Sequence, residues 1–355
     1  MSNPAIHFAR KERFIADACV WYNIYDSGSV SRDDLSREYR TSRHVLPNNR
    51  KCFRTGRRKS KEQHMENTYK ITGHTGLTGL LGSPVAHSLS PLMHNDSFRL
   101  LGLDYVYLCF DVGEEKLEEA VKGLRTCGIR GFNLTMPDKN RMAELADELS
   151  PAAAISGAVN TVVNDNGHLT GHITDGIGFF RACEEAGFRA DGKKITILGA
   201  GGAASAICAQ AALDGVTHLH IFARPTSRFH ERTVRLVDNI NRSTACRTTL
   251  GDLADETELR KAIGESDLLI NATPVGMAPN TEASVIEDPS FFRPELFVSD
   301  IIYNPRKTRF LSLAENAGCR TANGLYMLLY QGAEAFRIWT GKEMPTEIIK
   351  ERYFM

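Results

Sequence analysis

The sequence places a lysine where a helix is expected to begin. The segment GFNLTMPDKNR, residues 131–141, has the pattern of a strand that runs into a helix start. Pro137 suits the first helical position, where its missing N–H would be unpaired anyway, and Thr135 is a suitable cap. The positive end of the helix dipole disfavours an ammonium group at Lys139. Two interpretations follow, a surface lysine or an acid–base group whose pKa the helix end lowers.

A glycine-rich turn supplies a second kind of chemistry. In KKITILGAGGAAS, residues Gly199, Gly201 and Ala204 form a G-x-G-x-x-A pattern directly after a predicted strand and at a helix start. Gly199 allows a tight turn, and Gly201 lets the backbone approach a pyrophosphate at the helix N-terminus. In this strand–turn–helix context the pattern predicts a nicotinamide dinucleotide site.

The end of the next predicted strand bears on which dinucleotide binds. It reads IFARPTSRF, with Arg224 and Arg228 and no acidic residue before Glu231. An acidic residue there would bind the ribose hydroxyl of NAD, whereas arginine accommodates the 2′-phosphate of NADP. The arginines favour NADP, although Arg228 also fits a solvated surface position.

Polar residues follow other predicted strands. Ser88 and Ser90 in SPVAHSLSP lie beside a helix start, where two hydroxyls and nearby N–H groups suit a carboxylate. Asn160 lies in GAVNTVV and Asp175 in GHITDGIG. Taken singly, each of these four residues is more typical of a cap or a turn than of a ligand site.

The elements that must position these residues alternate regularly from about residue 76. Strands are expected in GLTGLLG, DYVYLCFDV, IRGFNLT, AVNTVV, KKITIL, THLHIFAR, ACRTTL, DLLINAT and LFVSDIIY. Helices of ordinary length separate most of them, which predicts parallel α/β sheets. A turn is expected at NDNGH, a helix that bridges two domains over 175–188, and a long final helix over 324–341.

Length and composition limit the number of domains and the class of protein. The 355 residues allow roughly two domains. No uninterrupted apolar run approaches the roughly 18 residues of a membrane helix. The eight cysteines are scattered, without a CxxC pair or a His/Cys cluster. This pattern predicts a reduced, cytoplasmic compartment without a disulfide framework, a zinc site or any other metal site.

The first 64 residues differ in charge from the rest. They carry a surplus of seven basic residues, and the remainder carries an equal acidic surplus. The stretch 50–61, RKCFRTGRRKSK, is compatible with a basic interaction arm or a targeting segment. The favoured alternative is that translation begins at Met65 and that residues 1–64 are a poorly ordered or artefactual extension. The acidic body predicts no nucleic-acid partner, and no membrane partner is expected.

The ordered motifs together resemble the shikimate dehydrogenase family, including its shikimate/quinate dehydrogenase branch. The resemblance covers about residues 77–355 and rests on SPVAHSLSP, NLTMPDK, GAVNT, TDGIGF, LGAGGAAS, NATPVGM, YNP and GLYMLLYQGAEAF. It implies a two-domain α/β fold. A substrate-binding domain over 65–174, completed by 324–355, would flank a Rossmann domain over 175–323. A monomer or a homodimer is expected.

The resemblance also implies roles for single residues. Lys139 and Asp175 would be the catalytic pair, and Ser88 and Ser90 would bind the substrate carboxylate. The ring hydroxyls would contact Thr135, Asn160, Asp175 and Gln331, with Tyr303 nearby. The cofactor would be lined by Gly199, Ala200, Gly201, Gly202, Ala203, Arg224, Arg228, Ile301 and Gly324.

The implied reaction is the reversible, NADPH-dependent reduction of 3-dehydroshikimate to shikimate, in the pathway to chorismate and the aromatic amino acids. Lys139 would act as general acid, its pKa lowered by burial and the helix end and raised by Asp175. Asp175 would mainly orient the lysine and the hydroxyl. Two alternatives stay open: an NAD-dependent quinate/shikimate dehydrogenase, and a non-catalytic metabolite sensor, which would not need the pair.

Three departures from the family pattern bear on the pocket. Ile173 replaces the usual asparagine, which would remove a polar group near the substrate or the nicotinamide. ARPT replaces the usual Asn-Arg-Thr, so that Arg224 matches and the asparagine does not. Tyr326 replaces a common glycine and would narrow the nicotinamide pocket. These differences favour the shikimate/quinate branch, many of whose members prefer NAD, so both NADP and NAD remain candidates.

Overall fold

The chain forms two six-stranded sheets in a computed structural model that describes residues 70–355. The predictions for residues 1–64 and for Met65 lie outside the described residues. Across the described residues, no helix is both long and apolar enough to cross a membrane.

The first sheet is mixed. Its strands are β1 (Gly76–Gly82), β2 (Tyr105–Asp111), β3 (Gly131–Leu134), β4 (Glu148–Leu149), β5 (Thr161–Asp165) and β6 (His168–His172), in the order β2-β1-β3-β5-β6-β4. Strand β1 pairs in parallel with β2 and β3, whereas β5 runs antiparallel to both β3 and β6. The predicted turn between β5 and β6 is confirmed, since Asn166 and Gly167 both have positive φ.

The second sheet is entirely parallel. Its strands are β7 (Lys194–Leu198), β8 (His218–Ala223), β9 (Arg247–Asp252), β10 (Leu268–Asn271), β11 (Phe297–Asp300) and β12 (Arg320–Ala322), in the order β12-β11-β10-β7-β8-β9. This is the strand order of the Rossmann fold. The short strands β10 and β11 are buried along their whole length, as expected for a sheet that helices cover on both faces.

Helices connect and cover the strands. They are α1 (Ser90–Leu100), α2 (Leu117–Thr126), α3 (Lys139–Leu145), α4 (Pro151–Ser156), α5 (Asp175–Glu185), α6 (Gly202–Leu213), α7 (His230–Ser243), α8 (Glu256–Glu265), α9 (Arg309–Asn316), α10 (Leu325–Thr340) and α11 (Thr346–Tyr353). Short 3-10 helices lie at Glu114–Lys116 and Pro289–Phe291. The sequence did not predict β4, β12 or α11, each of which is short.

The first sheet is covered by the end of the chain. Leu80 of β1 and Tyr107 of β2 share one buried cluster with Phe336 and Trp339 of α10 and Phe354 beyond α11. Residues about 250 positions apart in the chain therefore build one core. The predicted two-domain α/β architecture is confirmed, with α10 and α11 packed on the sheet that comes first in the chain.

Helix α5 connects the two sheets. Its residues Phe179, Phe180 and Cys183 belong to the core of the second sheet, and Ala182 belongs to the core under α10. At Gly178, an added Cβ would lie 2.5 Å from the backbone nitrogen of Gln331. Glycine is therefore required there for α5 and α10 to approach this closely.

The predicted start of α3 is wrong by two residues. Residues 136–138 form a turn in which the N–H of Asp138 donates to the carbonyl of Thr135 at 3.1 Å. Helix α3 begins at Lys139, and no described residue caps its N-terminus with a side chain. Pro137 therefore lies in the turn rather than at the first helical position, and Thr135 is not a cap.

Candidate active site

One edge of the first sheet gathers the polar residues of the substrate side. Ser88 and Ser90 follow the end of β1, and Lys139 follows the end of β3. Because β5 runs antiparallel to β3, with Thr161 paired to Asn133, the start of β5 lies beside the end of β3. Asn160 therefore reaches the same edge. Asp175 follows the end of β6, which pairs with the start of β5.

The same edge faces the carboxyl ends of the Rossmann strands across a cleft. The sequence-predicted residues that line this cleft are Ser88, Ser90, Thr135, Lys139, Asn160, Asp175, Gly201, Gly202, Ala203, Ile301, Tyr303, Gly324 and Gln331. Among the predicted residues, Gly199, Ala200, Arg224 and Arg228 lie outside its lining. Ligands of open parallel sheets bind at this edge of the strands.

Lys139 and Asp175 form a buried ion pair in this cleft. Nζ of Lys139 lies 2.7 Å from Oδ2 of Asp175, with side chains only 10% and 5% exposed. Lys139 is the first residue of α3 and Asp175 the first residue of α5. Removing one partner from a buried pair typically costs about 3–5 kcal/mol, because the other charge remains uncompensated. The pair therefore fixes the position of both groups, with the ammonium at the cleft surface.

Asn160 is held by Thr161 at the start of β5, by Thr174 directly before α5 and by Gln331 of α10. Its side-chain Oδ1 accepts from the backbone N–H of Thr174 at 2.8 Å and from the hydroxyl of Thr161 at 3.0 Å. Its Nδ2 donates to the hydroxyl of Thr174 at 3.0 Å and approaches Oε1 of Gln331 at 3.5 Å. With its carboxamide orientation fixed in this way, Asn160 presents a preorganised polar group to the cleft.

Ser88 and Ser90 surround the N-terminus of α1. The backbone N–H of Ser90 donates to Oγ of Ser88 at 3.2 Å. Beneath them, the hydroxyl of Tyr107 donates to Oδ1 of Asn133 at 2.8 Å and also hydrogen-bonds with Ser90. Burial raises the pKa of Tyr107 well above its ordinary value, so this residue stays a neutral hydroxyl. Hydroxyls and a helix N-terminus together suit a small anionic group.

The glycine turn has the geometry expected of a pyrophosphate site. Gly199 has φ of +119°, and a Cβ there would lie 2.6 Å from the carbonyl oxygen of Ala272, so that only glycine fits. The following helix α6 starts with Gly201 as N-cap, and no side chain among residues 70–355 caps it. The first N–H groups of α6 are therefore available to a ligand. The residues present fit a dinucleotide phosphate.

Arg224 and Arg228 lie beyond this turn, at the end of β8. Both are exposed, and the guanidinium of Arg228 stacks on the ring of Phe229 at 4.7 Å. An exposed arginine with its plane held by an aromatic ring retains donors for a phosphate. The position is that of the adenosine ribose in a Rossmann domain.

A second buried polar cluster supports the cofactor side, and the sequence did not predict it. Asp300, at the end of β11, accepts from the N–H of Ile302 at 2.9 Å and from the hydroxyl of Thr308 at 2.8 Å. Asn271 donates to Asp300 and accepts from the backbone N–H of Thr273. Burial raises the pKa of Asp300 to about 6. Polar residues that end apolar strands, as in LLINAT and FVSDII, were the available signal.

Further cleft residues were not singled out from the sequence. They include His87, Asn133, Thr273, Met277 and Asn304. Burial lowers the pKa of His87, so its imidazole is neutral at neutral pH. His87 lies in the motif SPVAHSLSP beside the two serines, and this position was the available sequence signal.

Two expectations about the pocket are wrong. Ile173 is 2% exposed and packs in the core with Phe132 and Leu169, so it does not line the cleft. Tyr326 also lies outside the cleft lining, and its ring contacts the ammonium of Lys350, 4.6 Å from the centroid. Because each side chain points away from the cleft, neither substitution changes its shape or polarity in the predicted way.

Asp138 is a buried carboxyl group directly before Lys139. Its side chain is fully buried, and neither oxygen has a hydrogen-bond partner in the described part of the chain. Burial, together with the charge of Glu114, raises its pKa to about 7. Near neutral pH much of Asp138 is therefore protonated and uncharged.

A dinucleotide-binding sheet that faces a polar cleft with a buried lysine–carboxylate pair defines an oxidoreductase of the dehydrogenase class. Comparison with known proteins narrows the class. The family model of the shikimate dehydrogenase substrate binding domain matches residues 80–162, and that of the shikimate 5'-dehydrogenase C-terminal domain matches residues 324–352. The chain belongs to the shikimate dehydrogenase family.

Individual relatives agree with this assignment. Shikimate dehydrogenase (NADP(+)) of Listeria monocytogenes serotype 4b is 54% identical over 287 residues, which cover 81% of this chain and 98% of that protein. A crystal structure of shikimate 5-dehydrogenase from Listeria monocytogenes with shikimate and NAD has a TM-score of 0.77 at 54% identity, covering 79% of this chain and 97% of that chain. Quinate dehydrogenase from Corynebacterium glutamicum with NAD has a TM-score of 0.70 at 31% identity, covering 79% and 99%.

Proposed function

We propose that this chain is an NADP-dependent shikimate dehydrogenase that interconverts 3-dehydroshikimate and shikimate in aromatic amino acid biosynthesis. The observation that carries the proposal is the buried pair of Lys139 and Asp175, 2.7 Å apart, in a cleft that faces the dinucleotide-binding edge of the second sheet. The family assignment and the 54% identity to an NADP(+) shikimate dehydrogenase support the same activity.

The protein's part in the reaction is to hold the substrate and to move one proton. Bound NADPH supplies the hydride to the carbonyl carbon. Lys139 donates a proton from Nζ to the carbonyl oxygen, and it accepts the hydroxyl proton in the reverse direction. Asp175 holds that ammonium in place and accepts a hydrogen bond from the substrate hydroxyl. Burial of both side chains keeps water from competing for the proton.

The polar residues of the cleft fit a polyhydroxylated ring with one carboxylate. In this proposal, Ser88 and Ser90 bind the carboxylate at the N-terminus of α1. The ring hydroxyls contact Thr135, Asn160 and Gln331, and Tyr303 closes the site from the second sheet. The hydrogen bonds that fix Asn160 mean that little side-chain entropy is lost when the substrate binds.

In this proposal, residues of the second sheet would hold the cofactor. Residues 199–203 at the start of α6 would hold its pyrophosphate, and Arg224 and Arg228 would hold its 2′-phosphate. Ile301 and Gly324, which line the cleft, would lie beside the nicotinamide. The exposed arginines favour NADP, because NAD offers them no phosphate to bind.

Initial rates with two substrates and two cofactors test the proposal. The purified chain is assayed with shikimate or quinate, each with NADP⁺ or NAD⁺. The largest kcat/KM is expected for shikimate with NADP⁺. A preference for quinate with NAD⁺ would identify a quinate dehydrogenase instead, and no turnover in any of the four combinations would identify a non-catalytic binding protein.

The same proposal includes the domain bounds 65–174 with 324–355 and 175–323, a cytoplasmic location and a monomer or homodimer. The sheets support the bounds, since the strands of the first lie within residues 76–172 and those of the second within 194–322. Size-exclusion chromatography with light scattering measures the oligomeric state, and fractionation of the source cells tests the location.

A further inference from the structure

A polar contact joins the helix of Lys139 to α7, a helix of the Rossmann domain. Oδ1 of Asn140, in the carboxamide orientation that gives its polar atoms suitable partners, accepts from Nη1 and Nη2 of Arg232 at 3.1 and 3.0 Å. Asn140 is the second residue of α3, and Arg232 lies in the first turn of α7. Two donors on one oxygen fix the relative position of the two helix starts more firmly than one hydrogen bond would.

The start of α3 depends on such external contacts. The helix has only seven residues, and within the described part of the chain no side chain caps its N-terminus. The carbonyl of Lys139 accepts from the N–H of Val159 at 2.8 Å, which attaches the helix start to the segment before β5. Asn140 adds an attachment on the other side of the cleft. Because Asn140 directly follows Lys139 in the chain, a shift of Asn140 also moves the backbone of Lys139.

The other end of the contact lies beside the proposed phosphate site. The guanidinium groups of Arg228 and Arg232 both stack on the ring of Phe229, with their central carbons 4.7 and 5.5 Å from its centroid. Arg232 thus shares the ring of Phe229 with Arg228, a proposed ligand of the 2′-phosphate, and these three residues form one cluster. The cluster reaches from the adenosine end of the cofactor site to the start of α3.

We propose that Asn140 and Arg232 are a positioning pair that fixes the start of α3, and thereby Nζ of Lys139, against the Rossmann sheet. The inference rests on the proposed function, because it assigns the pair to the reaction in which Lys139 transfers a proton. Neither residue contacts the substrate in this proposal. Their effect is on the rate of the chemical step and not on the affinity for shikimate.

A second contact on α7 supplies a matched control. Nδ2 of Asn239 donates to the carbonyl of Ile155 in α4 at 3.2 Å. Asn239 lies seven positions after Arg232, on the same face of α7. It therefore belongs to the same interface between the two sheets, but it touches α4 rather than the helix of Lys139.

The experiment compares kcat and KM in full-length variants. Asn140→Ala and Arg232→Ala are each expected to lower kcat by about tenfold, since small displacements of a reacting group are costly, and to leave the KM for shikimate within about twofold. Asn140→Asp retains an acceptor for the guanidinium and is expected to keep kcat near that of the wild type. The double variant should lose no more than the worse single variant, because both changes break one contact. Asn239→Ala should leave kcat within about twofold of the wild type.

Several results would overturn the inference. One is an unchanged kcat in Asn140→Ala, and another is a kcat in Asn140→Asp as low as in Asn140→Ala. A third is a loss of kcat in Asn239→Ala as large as in Asn140→Ala. The fourth is a fold-loss of kcat in the double variant equal to the product of the two single losses. Each of these outcomes leaves the proposed function intact if the wild-type chain oxidises shikimate. A wild-type chain without activity on shikimate would instead overturn the proposed function, and the positioning role with it.

Discussion

Nζ of Lys139 lies 2.7 Å from Oδ2 of Asp175, although the two residues are 36 positions apart in the chain. Each is the first residue of a helix that begins at the same edge of the first sheet. The turn at 136–138 delays the start of α3 until Lys139, which places the lysine at the cleft surface. The position of the pair therefore depends on where β3 and β6 end, because Lys139 and Asp175 each begin the helix that follows one of these strands.

Removal of the lysine should abolish most of the activity. In Lys139→Ala, kcat for shikimate oxidation should fall by roughly 10²–10⁴, because a positioned acid–base group contributes about that much. The measurement is the initial rate of NADPH formation at saturating substrate. Lys122→Ala is the matched control, since Lys122 is exposed on α2 and forms an ion pair with Glu118 at the surface of that domain. It should retain the wild-type rate.

Asp175→Asn separates the two members of the pair. A lower kcat is expected, because the amide no longer holds the ammonium of Lys139 in place. Retention of wild-type rates in both Lys139→Ala and Asp175→Asn would show that the pair is structural. Circular dichroism of each variant establishes that the fold is intact.

Loss of a serine hydroxyl should weaken substrate binding. In Ser90→Ala, the KM for shikimate should rise by about tenfold, which corresponds to one hydrogen bond to a charged group, while kcat changes little. The control is Ser97→Ala, in the same helix α1, whose hydroxyl donates to the carbonyl of Met93 away from the cleft. An unchanged KM in Ser90→Ala would remove this residue from the carboxylate site.

Arg224→Ala tests cofactor discrimination. The KM for NADP⁺ should rise by at least about tenfold, because a charge-assisted contact to phosphate is lost, and the KM for NAD⁺ should stay within about twofold. Arg247→Ala is the control, since Arg247 is exposed at the opposite end of the neighbouring strand β9. Equal effects of Arg224→Ala on both cofactors would contradict recognition of the 2′-phosphate.

Asp138 should make stability depend on pH. Its pKa is raised to about 7 by burial and by Glu114, so the folded state binds a proton that the unfolded state has lost above about pH 4. Folded-state stability therefore falls as pH rises from about 4 to 7. Asp138→Asn removes this effect and should raise the free energy of unfolding at pH 8 by up to about 4 kcal/mol, since each of the roughly three units of pKa difference corresponds to about 1.4 kcal/mol.

Urea unfolding between pH 5 and pH 8 measures the change. The gain in the free energy of unfolding from Asp138→Asn should be smaller at pH 5 than at pH 8. Glu119→Gln, at an exposed position of α2, should show no such trend. If Asp138→Asn is no more stable than the wild type at pH 8, ionisation of Asp138 does not destabilise the folded state.

The parts of the site that the sequence predicted lie in short local motifs. The glycine turn at Gly199 and the serines before α1 are recognisable because a strand end, a turn and a helix start follow one another within a few residues. The strands and the main helices follow from apolar patterns in the same way. The pairing of Lys139 with Asp175, by contrast, came from family resemblance, since no local pattern brings residues so far apart together.

The remaining features depend on register and on packing between the sheets. Asn271 and Asp300 form a cluster only because β10 and β11 pair directly in parallel, with these two residues opposite each other. Ile173 and Tyr326 were misplaced because their motifs do not reveal which way a side chain points. The contact between Asn140 and Arg232 requires the two sheets to be in place, and no single-segment pattern encodes it.

The cover of the first sheet by α10 and α11 has a consequence for synthesis. During translation, β1 to β6 emerge first, but Leu80 and Tyr107 gain their partners Phe336 and Trp339 only when the chain is almost complete. The Rossmann strands emerge in between and need no later partner in their sheet beyond β12. Of the two sheets, the one made first is thus the last to be completed, and its apolar face stays exposed on the nascent chain until the final helices are made.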